Sequence, residues 1–233
     1  MLNKNKLKIP ATITFLCLEL ALGILVQLTS NDLNTAVSFS CVALACLFCA
    51  LFFEKSSCYY LTQIGLFCTV CADIFLVVLK PMLQLPAMIF FSITQICYFL
   101  RLYLNQANSH NKRLHLIFRA LSIVVALTLT IIVLKDKTDA LSLVSLFYYA
   151  NLIFNIIIAF AQFKKCPVLA IGLLLFLMCD TVIGLNIMAN SYISGAKDSL
   201  IYRLLNPGFN LAWVFYVPSQ ALIAISLLKK KRG

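Results

Sequence analysis

Two aspartates lie inside long apolar runs, where acidic residues are rare. Asp73 falls in "GLFCTVCADIFLVVL", residues 65–79, and Asp180 falls in "GLLLFLMCDTVIGLN", residues 172–186. An ionised carboxylate deep in a bilayer is costly, so such acids face a bundle interior or a water-filled cavity. Two neighbouring carboxyl groups titrate as a pair, and one of them stays protonated longer than the other. That arrangement suits general acid and base catalysis, whereas hydrogen bonding between helices is the simpler alternative.

The two segments resemble each other beyond their acids. Gly65 precedes Asp73 by eight residues, and Gly172 precedes Asp180 by eight. A cysteine lies just before each acid, and the offset between the segments is 107 residues, close to half the chain. We therefore expect the third and seventh helices to correspond in two parallel four-helix halves, related by an axis along the membrane normal. Chance similarity between apolar helices is the alternative.

Other polar side chains are expected at a similar depth. Asp73 lies eighteen residues beyond Lys55. Asp180 lies fifteen residues beyond Lys165. At about 1.5 Å per helical residue, the two acids differ in depth by only ~5 Å. The polar residues expected to approach this layer from other helices are Gln95, Tyr98, Asn151, Asn155 and Gln220, and Glu19 in the first run is expected to cap a polar cavity or to pair with a basic side chain.

The elements that must position these residues are eight apolar runs. The chain is 62% hydrophobic with a mean hydropathy of +0.97, against about 45–50% apolar for a soluble domain. A globule of 233 residues cannot hide that much apolar surface, so lipid must be its solvent. We predict an all-α, polytopic transmembrane bundle forming a single domain over residues 1–233. The expected spans are 10–28, 35–53, 59–79, 85–104, 117–134, 141–163, 167–190 and 208–228.

The basic residues predict an orientation. The net charge of +11 comes from short clusters between apolar runs, which indicates loops beside an anionic membrane rather than a nucleic-acid-binding face. With the N-terminus inside, fourteen of nineteen lysines and arginines, Arg101 and Arg119 among them, fall on the cytoplasmic side. We therefore expect both termini in the cytoplasm, the first run to be retained as a span, and the chain to lie in a bacterial cell membrane. The outer residues are Lys80, Lys135, Lys137, Lys197 and Arg203.

The cysteines and histidines do not predict a metal site. Most of the ten cysteines lie inside apolar runs, where a free cysteine usually packs as a small hydrophobic residue. This interpretation includes the two CxxC pairs that begin at Cys46 and Cys68. Both histidines, His110 and His115, are expected in a polar loop outside the spans. Since a zinc site needs histidine or thiolate ligands in a closed geometry, we expect no metal and no cofactor.

With these motifs in order, the chain resembles the YhhN-like family of eight-span membrane proteins, which includes the lysoplasmalogenases. The matching elements are "CADIFL" around Asp73, "TQICYF" with Gln95 and Tyr98, "LLFLMCDTVIGLN" around Asp180, and "FYVPSQALIAISLL" with Tyr216 and Gln220. The chain departs from the family at Ala72, where a glycine is usual, and at Gln95, where a histidine is usual. "SFSCVAL" also stands in the second span where many members have "KP". The chain thus resembles a divergent member.

The resemblance implies an activity. Lysoplasmalogenases cleave the vinyl ether of a lysoplasmalogen with water, giving a fatty aldehyde and a glycerophospho-base. It implies that Asp73 and Asp180 are catalytic, and that Gln95, Tyr98, Tyr216 and Gln220 position water or substrate. The implied partner is a lipid or lysolipid from the bilayer, and no nucleic acid. Head group, chain length and oligomeric state are left open.

Two other functions fit the same residues. Acids at mid-membrane depth and parallel repeats also suit a proton-coupled transporter of a small molecule or lipid. "NPGFN" at residues 206–210 and Pro218 interrupt the eighth run, as broken helices do near transport sites, although the first of these also fits the loop that starts a helix. A non-catalytic membrane protein is the third possibility.

Overall fold

The computed structural model describes residues 4–29, 31–53, 55–79, 81–106, 109–135, 138–192 and 208–228. Within these ranges the chain forms eight α-helices and no strand, which confirms the predicted all-α bundle. The helices are α1 (Lys4–Leu28), α2 (Asn31–Phe52), α3 (Ser57–Asp73), α4 (Gln84–Leu104), α5 (Ser109–Leu134), α6 (Ala140–Ala161), α7 (Pro167–Tyr192) and α8 (Leu211–Ile225). A π-helical segment, Ile74–Val78, continues α3 directly.

Seven of the described helices, α1 to α7, are long and apolar enough to cross a membrane. The eighth, α8, has 15 residues and is therefore about 22 Å long, shorter than the hydrocarbon thickness of about 30 Å. It is also shorter than the run 208–228 from which we predicted it. Gly208 has a φ of 87°, a conformation that favours glycine, and lies in the loop that leads into the helix. Residues 208–210, the described part of that segment, are non-helical as the loop interpretation predicts, whereas Pro218 lies inside α8 and does not interrupt it.

Contacts at both ends show how α8 runs through the bundle. At its start, the Asn210 backbone N–H donates to Gln27 Oε1 at 2.8 Å, close to the end of α1. At its end, the Arg101 guanidinium, in the last turn of α4, donates to the backbone carbonyl of Ser226 at 3.0 Å. Arg101 also donates to Thr62 Oγ1 near the start of α3, at 2.8 Å. Helix α8 is therefore antiparallel to α1 and α3, and its two ends lie toward opposite ends of the bundle.

Six of the helices form a closed ring. Helix α2 packs on α3, α3 on α4, α4 on α6, α6 on α7, α7 on α8, and α8 on α2. Helix α1 lies outside this ring against α2 and α8, and α5 lies outside against α6. The order of neighbours in the ring is unchanged when α2, α3 and α4 are exchanged for α6, α7 and α8. This is the neighbour order expected of two parallel halves related by an axis along the helices.

Two glycines allow close helix packing at corresponding positions. A Cβ atom on Gly65 would lie 2.6 Å from Cε1 of Tyr98, where α3 meets α4. A Cβ atom on Gly172 would lie 3.0 Å from Cγ1 of Ile223, where α7 meets α8. Small residues at such positions let helix backbones approach closely in membranes. The pair Gly65 and Gly172, noticed in the sequence for its spacing to the acids, thus has a packing role in each half.

The start of α5 differs from the prediction. The helix begins at Ser109 instead of near residue 117, because "NKRLHL" consists largely of residues with good helix propensity. His115 consequently lies inside the candidate membrane span Lys112–Ile132, and the expectation of a polar loop around both histidines is wrong. Arg101 and Arg119 also lie inside candidate spans, and their side chains are only 3% and 6% exposed. The prediction of the orientation had counted both as charges on the cytoplasmic surface.

The connection into α6 is capped. The Asp139 carboxylate accepts a hydrogen bond from the Ser142 backbone N–H at 2.8 Å, and the Ser142 hydroxyl contacts the Asp139 backbone N–H at 3.0 Å. This reciprocal capping box satisfies backbone donors that the first helical turn would otherwise leave unpaired. The hydrogen bond from Ser142 holds the pKa of Asp139 below its usual value. Helix α6, which carries several of the polar side chains described below, thus has a fixed starting point.

Candidate functional site

The backbone changes form at the first acid. Helix α3 ends at Asp73, and the π-helical segment Ile74–Val78 follows without a break. Its hydrogen bond from the Leu79 N–H to the Ile74 carbonyl, 2.9 Å long, spans five residues instead of the four of an α-helix. Such π turns are rare and are frequent at functional sites. The Asp73 side chain is 3% exposed and is directed into the bundle.

A tyrosine from α8 fixes the position of the Asp73 carboxyl group. The Tyr216 hydroxyl donates a hydrogen bond to Asp73 Oδ2 at 2.8 Å, and the Tyr216 side chain is 5% exposed. The Tyr216 ring also packs edge-on against Trp213, with a centroid distance of 5.2 Å. The sequence placed Tyr216 among the candidate positioning residues, and this bond gives it a direct contact with an acid.

The second acid has a tyrosine partner of its own. The hydroxyl of Tyr148, on α6, donates a hydrogen bond to Asp180 Oδ2 on α7. Tyr148 is buried, at 4% exposed, while Asp180 is only partly buried. The next residue on each helix makes a parallel contact, in which the hydroxyls of Tyr149 and Thr181 lie 2.8 Å apart. We refer to Asp73 with Tyr216, and to Asp180 with Tyr148, as the two Asp–Tyr pairs.

Aromatic rings connect the two Asp–Tyr pairs across the interior. Tyr216 contacts Phe176 at a centroid distance of 5.6 Å, and Phe176 contacts Phe91 at 5.9 Å. Phe91 in turn contacts Tyr148 at 5.6 Å. The Cys179 thiol is close enough to the carboxyl groups of both Asp73 and Asp180 to interact with each of them electrostatically. The two acids, from α3 and α7, therefore border one interior that is lined by aromatic side chains of α4, α6, α7 and α8.

Sequence reasoning did not identify Tyr148. A signal was nevertheless present, because Tyr148, Asn151 and Asn155 have the i, i+3, i+7 spacing that puts side chains on one face of a helix. Asn151 and Asn155 were singled out as polar residues directed into the bundle, and both are fully buried. The tyrosine one turn earlier on that face had to point into the same interior.

Gln95 belongs to a different polar cluster. The Asn155 amide donates to the Gln95 carbonyl at 2.8 Å and to Gln95 Oε1 at 3.0 Å. The Arg119 guanidinium donates to Asn155 Oδ1 at 2.9 Å and also to Asn151 Oδ1. Arg119 further lies 3.9 Å from the ring centroid of Phe99. This cluster joins α4, α5 and α6, and its bonds do not reach either aspartate.

Tyr98 and Gln220 make no hydrogen bond to a carboxyl group within the described part of the chain. The Tyr98 ring packs against Gly65, and its buried hydroxyl has no hydrogen-bond partner there. Gln220 lies one helical turn after Tyr216 and donates to Ser219 Oγ at 3.2 Å. Its Oε1 atom and the Gln95 Nε2 atom are buried and have no hydrogen-bond partner among the described residues. These three side chains are fully buried, and no hydrogen bond among the described residues joins them to either acid.

Glu19 is the third acid inside the apolar helices. Its side chain is 2% exposed, and neither carboxyl oxygen has a hydrogen-bond partner among the described residues. It lies on α1 within electrostatic range of Cys41 on α2. No basic side chain in the described ranges pairs with it, so the alternative in which Glu19 forms an ion pair is not observed.

The cysteines are all unpaired, and eight of the ten are buried or half-buried inside apolar helices. The residues described by the structure contain no group of three His, Cys, Asp or Glu side chains that could hold a metal ion.

One comparison with known proteins gives a match. The model of the YhhN family matches residues 33–227, which begin within α2 and end just after α8. The matched region contains both Asp–Tyr pairs. No curated protein and no solved structure matches the chain.

Proposed function

This chain belongs to the YhhN family, and from that premise we propose that it is a lysoplasmalogenase-like intramembrane hydrolase. The reaction adds one water to the vinyl ether of a lysoplasmalogen and yields a fatty aldehyde and a glycerophospho-base. The observation that carries the proposal is the pair of acids at one aromatic-lined interior, each with one oxygen bound by a tyrosine. Family membership supports the lysolipid substrate class.

The first chemical step is a proton transfer to carbon. A protonated carboxyl group of one Asp–Tyr pair delivers its proton to the β-carbon of the vinyl ether, and the double-bond electrons form the new C–H bond. The other vinyl carbon and the ether oxygen then share the positive charge of an oxocarbenium ion. A carboxylate nearby stabilises that ion, as the second carboxylate does in glycoside hydrolysis. Two acids with different protonation states supply both functions.

Water completes the reaction. The carboxylate left by the first step accepts a proton from the attacking water, and the hydroxyl adds to the oxocarbenium carbon to give a hemiacetal. In the collapse of the hemiacetal, the reprotonated carboxyl group gives its proton to the departing glycerol oxygen and takes the proton of the hemiacetal hydroxyl, which leaves the aldehyde. One water is consumed, and each acid ends in the protonation state in which it began. The two aspartates are thus sufficient for all the proton transfers.

The tyrosines and phenylalanines have distinct tasks in this scheme. Each tyrosine hydroxyl binds only Oδ2 of its aspartate, so that bond orients the carboxyl group and leaves Oδ1 for the reacting molecule. Phe91 and Phe176 lie between the two pairs. Their apolar surfaces suit the alkenyl chain, and an aromatic face also attracts a cation such as the oxocarbenium ion.

Aldehyde release from a lysoplasmalogen by the purified protein in lipid bilayers tests the proposal. The matched control substrate is the lysolipid with a saturated ether at the same position. It has the same head group and chain but no double bond to protonate, so we expect aldehyde from the vinyl ether alone. Absence of aldehyde from the vinyl ether would contradict the proposal. If that protein instead moved lysolipid across vesicles in response to a proton gradient, the transporter alternative would replace it.

A further inference from the structure

An apolar groove runs along the outside of the bundle between α5 and α6. Its volume is about 690 Å³. Its walls are aliphatic and aromatic, and His115 and Ser122 are the polar side chains among its lining residues. The groove lies on the face of α6 opposite to the one that carries Tyr148 and Asn155. It is therefore separate from the interior that contains the two acids.

The length of the groove matches one leaflet of a bilayer. Its lining extends along α5 from Leu114 to Val125, which is about 16 Å at 1.5 Å per residue. Half of a hydrocarbon core of about 30 Å is about 15 Å. A single hydrocarbon chain of one leaflet would therefore fill the groove from its mouth to its inner end.

Basic residues lie just beyond the lining residues of both helices at one end of this groove. Arg113 precedes the first lining residue on α5, and Lys164 and Lys165 follow the last lining residue on α6, Ala161. All three side chains are exposed. Lys112, the residue before Arg113, has its Nζ 5.3 Å from the Tyr103 ring centroid. The end of the groove at which a lipid head group would lie is thus strongly cationic.

We propose that this groove binds one anionic phospholipid, with a hydrocarbon chain along α5 and α6 and the phosphate against Arg113, Lys164 and Lys165. Basic pockets between membrane helices bind anionic head groups in this way. The lipid holds α5 to the ring, since α5 packs mainly on α6 and much of its surface faces outward. The site is independent of the proposed hydrolase activity.

The binding experiment compares two lipids with identical chains. The protein is exchanged into an equimolar mixture of phosphatidylglycerol and phosphatidylcholine, and the lipid retained after delipidation is measured by native mass spectrometry. We expect one retained phosphatidylglycerol per chain. Equal retention of the two lipids, or retention of neither, would overturn the proposal.

Charge variants test the head-group end. Each basic side chain near a membrane surface contributes roughly fivefold to the binding of an anionic lipid, so Arg113→Gln/Lys164→Gln/Lys165→Gln should retain phosphatidylglycerol about a hundredfold less. The matched control, Lys229→Gln/Lys230→Gln/Lys231→Gln, removes the same charge from the segment after α8 and should bind as the wild type does. An equal loss in both triple variants would show only a general surface attraction and would overturn the specific site.

Filling the groove tests the chain-binding end. Ser122→Phe and Ala150→Phe each place a ring in the groove from a different wall, and we expect both to lose the retained lipid and to melt no lower than the lipid-free wild type. The control Val124→Phe changes an exposed position on α5 outside the groove and should retain it. Retention by both filled variants would contradict the location. A wild-type dimer that the filled variants dissociate, without lipid preference, would make the groove an interface between two copies.

Discussion

The two aspartates share one feature, which is that each accepts a hydrogen bond from a tyrosine hydroxyl on another helix. In the proposed reaction one of them gives up and takes back a proton, and the other holds a negative charge beside the cation. Asparagine keeps their shape but can do neither, so Asp73→Asn or Asp180→Asn should reduce aldehyde release by at least about 100-fold, within the 10²–10⁴-fold typical of general acid catalysis.

The double variant serves as the internal control for this prediction. Because both acids act on one transition state, it should be little slower than the poorer single variant. Thermal stability is measured in parallel, since a neutral amide at this depth can even stabilise the bundle. Near-normal release from a well-folded single variant would exclude that aspartate from catalysis.

The tyrosines should act as positioning residues. Phenylalanine at 148 or 216 keeps the ring contacts with Phe91 or Phe176 and removes only the hydroxyl. A hydrogen bond to a charged group contributes about 1.5–3 kcal/mol, so we expect a 10- to 100-fold lower kcat with a nearly unchanged KM. The control is Tyr149→Phe, which removes the neighbouring hydroxyl that contacts Thr181. Equal losses in all three variants would show a general packing defect instead.

At this scale the sequence revealed both acids, and the resemblance to the family pointed to Tyr216, the partner of Asp73, but Tyr148, the partner of Asp180, was missed. Asp73 and Asp180 stand out because a carboxyl group is improbable in an apolar run. Tyr148 does not stand out, since tyrosine is common in membrane helices and its role depends on α6 meeting α7. Gln95 was grouped with the acids because of its estimated depth and because of the resemblance to the family. In the structure its side chain faces Asn155 instead. The depth of a residue in the membrane does not determine which neighbour its helix face is turned toward.

At the scale of helices, the close packing of α3 on α4 depends on Gly65, and that of α7 on α8 depends on Gly172. Alanine at 65 would press a methyl group against the buried Tyr98 ring, and alanine at 172 would press one against the backbone of α8. Overpacking of this kind costs about 1–3 kcal/mol, so we expect both variants to melt at lower temperature. The matched control is Gly184→Ala, where a Cβ atom meets nothing within 4 Å, and its melting temperature should not fall.

A thermal shift assay in detergent measures these three variants. Because the two hairpins α3–α4 and α7–α8 correspond in the ring, their alanine variants should lose similar stability. A Gly65→Ala protein as stable as Gly184→Ala would mean that the Tyr98 ring moves freely and that the close contact is unimportant.

Helix existence was easier to predict than helix limits. All eight runs contain helices because their length and hydropathy leave few alternatives in lipid. The early start of α5 was missed because "SHNKRLH" looks like a polar loop, although Lys112, Arg113 and Leu114 within it have good helix propensity. The π turn after Asp73 gives no compositional signal, as "IFLVV" is as apolar as the residues around it.

For the molecule as a whole, the testable property is its orientation in the membrane. Burial of Arg101 and Arg119 reduces the number of basic residues available to the cytoplasmic surface to twelve, against five on the other side. The bias still favours both termini in the cytoplasm. Tags at residues 1 and 233 should therefore be protected from a membrane-impermeant label in intact cells. A tag after Lys137 should react and serves as the positive control. Labelling of either terminus would refute this topology.

The π turn also bears on how relatives of this chain should be aligned. A five-residue turn holds one residue more than the four-residue turn of an α-helix, so the chain after Asp73 is out of phase with the chain before it by about 100°. A relative with a regular helix at this point would require a one-residue gap in the middle of a membrane span, where gaps are least expected. By the same geometry, deletion of one residue from the π-helical segment 74–78 should be tolerated better than deletion of one residue from α3 itself. Asp73, held by the helix before it, would keep its place, and only the five residues up to Leu79 would turn.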